Sequence, residues 1–354
     1  MARRIFSFCL ACLFSFLSPV AFSESPDGDG GPVDGDSLWI TSIAPLGSDA
    51  FVAGRASGLL LQPGEVLRFT SEQATAGKFE KLYEHPAAVW CIDTTSDGSI
   101  VASVDYKGNL GIYKAESGEA KVIEGTFERW CQALVVAPGD QNVLAANEAG
   151  KVFQWNLSES KVSKSIEVSE AAITCLAFSP SGETIAASDG DGAVHLLSWP
   201  GLESKGKITI SENTAWCVAF ENEETLVVGS ADRGIYRAAL GGSTTEEQPA
   251  AEKVASGGDW ITRISASPTG QIAASEVGGK VHFLGSAASL QAESGVWALC
   301  FTEGGKLLVG TRKSGIVSAR QQWSWDSGSS ADQESADQES ADQESAEQES
   351  GDGQ

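Results

Sequence analysis

Apolar residues along this chain come in short runs. Residues 172–197 read AITCLAF, SPSGE, TIAAS, DGDG and AVHLL: apolar run, turn, apolar run, turn, apolar run. Runs this short, bounded by Gly, Pro, Ser and Asp, predict strands rather than helices. A more variable fourth run follows before the pattern begins again.

The pattern repeats. Trp90, Gln132, Thr174 and Trp216 fill one position at even steps of 42 residues, and the same position extends to Thr41, Thr262 and Trp297. A Gly follows each at a separation of 17 or 18: Gly58, Gly108, Gly150, Gly192, Gly234, Gly279 and Gly315. Four strands in about 40 residues is the period of a propeller blade. The expectation is an all-β, seven-bladed β-propeller of four-stranded antiparallel blades over 38–325. Two stretches depart from the unit: 63–77 is expected to lengthen a hairpin, and 241–258 to form a polar loop.

Residues 173–197 resemble the strand–turn–strand–turn–strand pattern of the WD-repeat family, and SPTGQIAAS at 267–275 repeats part of it. HPAAV at 85–89 carries the family's His ahead of strand A. Trp155–Asn156 stands where the family often has Trp–Asp. No unit ends in a literal Trp–Asp, and one has the His. The resemblance implies a rigid platform for protein partners, which is analogy at the level of the fold.

The ends read differently. Basic MARR, an apolar stretch and small residues before a cut after Ser23 predict a secretory signal peptide over 1–23. The apolar stretch is shorter than the ~20 residues of a spanning helix. Segment 24–37 is an acidic Gly/Asp linker, and 326–354, built on ADQES repeats, is expected to be a disordered acidic tail. The expected location is secreted or periplasmic, with no membrane association after cleavage. Of the net charge of −24, the repeat region keeps −11. An acidic body argues against nucleic-acid partners, which need clustered Lys and Arg.

Six units place an indole at the head of strand A. Trp90, Trp216 and Trp297 share the position of Thr174; Trp39, Trp130 and Trp260 share that of Ala172, two residues earlier. Strand alternation then predicts all six on one side and the thiols of Cys91, Cys175 and Cys217 on the other. Three residues before each marker Gly stand Arg55, Asp105, Asn147, Asp189, Ala231, Glu276 and Arg312. These predict a polar ring outside the indoles, with Arg55 and Arg312 as a basic notch. Two readings stand: wedges fixing blade spacing, or an aromatic mouth for a protein or a glycan. A third, hydrolytic reading, similar to propeller lactonases, would need ring carboxylates to hold a metal.

The five cysteines outside the signal region, Cys91, Cys131, Cys175, Cys217 and Cys300, read as buried thiols. His85, His195 and His282 fall in separate units, the last two on an outward strand C position, and do not suggest a converging metal site. No nucleophile elbow or phosphate loop occurs. No cofactor is expected.

Overall fold

A computed structural model describes residues 39–128, 130–240 and 251–318. Seven antiparallel sheets follow one another along the chain, each with its strands in sequence order A-B-C-D. Blade four is typical, with strands Ile173–Phe178, Thr184–Asp189, Ala193–Ser198 and Ser204–Thr209. The blades span 39–85, 89–123, 131–167, 173–209, 215–256, 261–291 and 296–318. Among the described residues blade seven has three strands, Val296–Phe301, Leu307–Thr311 and Ile316–Ser318. The run 321–325, a candidate for its fourth, lies outside the described residues, as do the leader, the linker and the tail.

Strand B is apolar without alternation because both faces of each blade are covered. In blade four Ile185 through Asp189 are all buried. The core is therefore divided among the junctions between blades. Ala186, Val194 and Ile208 of blade four pack on Val218, Phe220 and Leu226 of blade five. The junction between blades seven and one is built alike, from Ala298, Cys300 and Leu308 against Ile40, Phe51 and Phe69, so the apolar packing runs round the whole ring. Gly229 shows how closely blades approach: a Cβ there would lie 2.5 Å from Ile261 Cγ2 of blade six.

The two irregular stretches differ from expectation. Residues 63–77 contain strand C of blade one, Gly64–Thr70, then a short helix, Ser71–Thr75, closed by a Thr70/Gln73 capping box. The stretch 241–258 is not all loop, because Ala251–Ser256 is strand D of blade five. That strand looks polar because the outermost strand meets solvent.

Candidate functional site

Strand A is innermost in every blade, and it does not alternate cleanly. Its register against strand B shifts between Ile40 and Ser42, Val89 and Cys91, Ile173 and Cys175, Ala215 and Cys217, Ile261 and Arg263, and Val296 and Ala298. Blade three shifts likewise, skipping Gln132 between Cys131 and Ala133. The residue left unpaired is the marker in all seven blades. A bulge re-aims a side chain, and here it turns seven side chains into the ring's opening. Thr41, Trp90, Gln132, Thr174, Trp216, Thr262 and Trp297 line one axial cavity together with Arg263. The cavity is about 20 Å³, room for about one water.

Thr and Trp use this position differently. The Thr hydroxyls donate across the junction to the following blade: Thr41 to the Val89 carbonyl at 2.6 Å, Thr262 to that of Val296 at 2.8 Å, Thr174 to that of Ala215. The indoles make no such bond. Nε1 of Trp39, Trp216 and Trp297 has no partner among the described residues. Arg263 joins three blades, donating Nε–H to the Trp297 carbonyl at 3.2 Å and Nη2–H to that of Thr41 at 3.1 Å.

Trp90, Trp216 and Trp297 reach this opening through the bulge, and ring contacts connect Trp39, Trp130 and Trp260 to them or to Tyr106. Trp39 meets Trp90 edge-on at 5.9 Å and Trp297 at 5.3 Å, and Trp90 meets Trp297 at 6.2 Å. Tyr106 extends the group, 6.0 Å from Trp90 and stacked on Trp130 at 4.6 Å. An aromatic arc thus runs over blades seven, one, two and three. Trp216 and Trp260 form a separate stacked pair at 6.1 Å. Blade four contributes Ala172 and Thr174 and leaves a gap. Trp39 is buried at 2% exposure, while Trp90, Trp130, Trp216, Trp260 and Trp297 are half-buried. One indole is therefore a wedge and five keep part of their rings at the surface.

The polar ring outside the indoles is largely internal. Asp105, Asn147, Asp189 and Glu276 are buried. Asp105 accepts from the Lys107 and Asn109 amides and pairs with His85 at 3.3 Å. His85 Nε2 bonds Ser103 at 2.7 Å, and Ser103 bonds Tyr83 at 2.7 Å. Burial pushes the Asp105 carboxyl up, but His85 and Asn109 outweigh it and hold it below its usual range. In Asp189 the same opposition, with His195, the Ala193 amide and Ser169 as partners, also ends below the usual range. His282 pairs with Glu276. His195 and His282 thus turn to the acids of their own blades rather than outward. Asn147 Oδ1 accepts from the Ala149 and Lys151 amides at 3.1 Å. These residues form turns, as do Asx residues generally. No group of three or more His, Cys, Asp or Glu is placed to hold a metal among the described residues.

Arg55 is paired with Glu65, so it is not an open cation. Arg312 lies 5.1 Å over the Trp39 ring. It occupies the place of Tyr106, not that of Asp105, because Thr311 pairs with Val296 as Asp105 pairs with Val89. In blade five the corresponding residue is Ser230, paired with Ala215, and Arg233 takes the left-handed φ of 70° that Gly192 takes in blade four at 80°. Counting back from Gly misplaces both blades by one, since their A–B hairpins are one residue shorter than that of blade four. The thiols follow the bulge: Cys91 Sγ donates to the Leu134 carbonyl at 3.4 Å, and Cys175 and Cys217 point to Val218 and Ile261 of the next blades. All five described cysteines are free. Tyr106 and Arg263 were missed; Tyr106 was visible as an aromatic directly after Asp105.

Residues 160–197 match the family described as WD domain, G-beta repeat. The match begins near strand D of blade three and ends in strand C of blade four, one full repeat. A search of curated proteins found no match.

Proposed function

We propose that this WD-repeat-like, seven-bladed propeller is an interaction scaffold that takes protein partners on the face bearing the Trp arc. The fold supports the coarse reading, since propellers of this kind generally bind proteins. One observation carries the choice of face: five half-buried indoles and Tyr106 converge there. The axial cavity has room for about one water, so a sugar ring or small substrate could enter only by displacing indoles. An aromatic surface without a deep pocket suits a flat protein contact. The acids at the ends of strand B are engaged within the protein, Asp105 by His85 of blade one and Asp189 and Glu276 by histidines of their own blades, which favours binding over metal-assisted hydrolysis.

We also propose that the chain acts after export, on the signal features of residues 1–23. Two measurements test the scaffold reading. Affinity capture from an extract of the native source should retain proteins on the full chain and lose them on a Trp90→Thr, Trp216→Thr double variant. A glycan array should stay blank. Retention by the double variant would reject the face, and a strong glycan signal would replace the protein reading.

A further inference from the structure

We infer that the sector of blades seven, one and two docks an extended protein segment carrying aliphatic side chains next to carboxylates. The inference rests on the scaffold reading above and narrows it to one sector and one partner chemistry. It starts from a loop that the aromatic arc does not include. The B–C turn of blade one runs from Ser57 to Pro63, between strands ending at Ala56 and starting at Gly64. In blade four the same turn is Gly190 to Gly192. The turn of blade one is thus four residues longer, and it carries Leu59, Leu60, Leu61, Gln62 and Pro63.

This insertion is held, not loose. The Ala88 amide donates to the Leu60 carbonyl at 3.1 Å, and the Gln62 amide to that of Leu59 at 3.1 Å. Leu60 packs with Trp90 and Trp297 on a small core of Trp39, Ala56 and Ala88. That anchoring leaves its two neighbours outward. Leu59 and Leu61 are 56% and 57% exposed, the only exposed large hydrophobic residues among the described residues. A propeller turn needs Gly, Ser and Asp, not leucine. Two exposed leucines flank Leu60, which packs with the half-buried Trp90 and Trp297, and apolar residues exposed in this way mark a contact site.

Charge selects the partner. The B–C turns of blades seven, one and two carry Arg312, Lys313, Arg55 and Lys107, and their one acid, Asp105, is buried against His85. Arg55 is balanced by Glu65, and Lys81 by Glu65 and Glu84. Further acids stand at the borders: Glu124 and Glu128 toward blade three, Glu293 toward blade six. In blades three to six Asp189 and Glu276 are buried against His195 and His282 as Asp105 is against His85, and the B–C turns add Glu148, Asp191 and Asp232, with Arg233 and, facing Asp232, Lys253 as the bases. On a body of net negative charge, cations concentrate beside the leucines. A segment with carboxylates flanking an aliphatic residue would match both features, and it would be repelled from the other sector.

The test selects random twelve-residue peptides displayed on phage against the folded full chain. Individual peptides are then measured by fluorescence anisotropy. The expected winners combine Leu, Ile or Val with Asp or Glu. Their affinity should fall at least tenfold in a Leu59→Ser, Leu61→Ser variant, and again in Arg312→Glu, Lys313→Glu. Both variants should keep the wild-type circular dichroism and melting temperature, since Leu59, Leu61 and Lys313 are exposed; if the Arg312 pair melts early, Lys313→Glu alone replaces it. Peptides that bind the leucine variant equally but lose binding with Trp216→Thr would overturn this inference and leave the scaffold reading standing. Failure to select any peptide would overturn both. Binding of phosphatidylserine–phosphatidylcholine vesicles that depends on Leu59 and Leu61 would overturn it in favour of a membrane contact.

Discussion

Blades two and four share a scaffold and differ at the rim. Each buries an Asp at the end of strand B against a His, Asp105 with His85 and Asp189 with His195. Each has a Cys after the bulge reaching the next blade's backbone. At the rim, blade two presents Trp90 and Tyr106 where blade four has Thr174 and Gly190. The backbone does not require a Trp at the bulge, since Thr occupies the same geometry and adds a bond between blades. The indoles are thus surplus to the fold, and this separates surface from scaffold better than burial alone.

The comparison can be broken at its scaffold end first. Asp105→Ala and Asp189→Ala should each cost about 3–5 kcal/mol, because each strands a His and two turn amides. Guanidinium unfolding measures both; a loss in one blade and none in the other would show that the two are not equivalent. Next comes the bulge. Thr174→Val leaves the Ala215 carbonyl without its donor and should cost about 1–3 kcal/mol. Trp90→Thr should cost about 1 kcal/mol, lost ring contacts being partly offset by a hydroxyl bond to the Cys131 carbonyl. A much larger loss would make Trp90 a wedge.

A finer difference lies deeper in strand A, where blade two has Asp93 and blade four Ala177. Burial pushes the Asp93 carboxyl up to about 6, against amide bonds from Val136 and Thr94 that lower it. A raised carboxyl disfavours the charged folded form, so the cost exists above about pH 6 and vanishes as pH falls toward the usual value. Asp93→Asn, which gives up one of these two amide bonds, should therefore gain on wild type by about 1 kcal/mol between pH 5 and pH 8, discounted for partial exposure. Melting curves of the two proteins across this range check it, and a gain on acidification instead would refute the assignment.

The repeat was legible because strand B and the marker position recur at fixed spacing, and that spacing gave seven blades. The gathering of indoles was also legible, though for an incomplete reason. Alternation placed Trp39 and Trp90 on one side, whereas the bulge at Thr41 and Trp90 is what turns them together. Bulges leave no residue signature here, since Thr, Gln and Trp all occupy the position. The polar ring was misread because Asp105 and Glu276 are polar by type yet spent on buried pairs with His85 of blade one and His282. Arg312 was misassigned by one residue because the A–B hairpin of blade seven is one residue shorter, Phe301 pairing with Leu307 where Thr94 pairs with Val101 in blade two. Leu59 and Leu61 follow the marker Gly58 with no pattern to set them apart, and only the pairing of Gly64 with His85 places them in a turn ahead of strand C.

The shared bulge has a further consequence. Each blade offers one outward letter at the same height, and that letter is set independently of the packing beneath it. Seven such letters encircle a single opening, so new contacts can be written one blade at a time without retuning the disc. A Trp placed at Thr174 would fill the gap over blade four, between Trp130 and the Trp216–Trp260 pair.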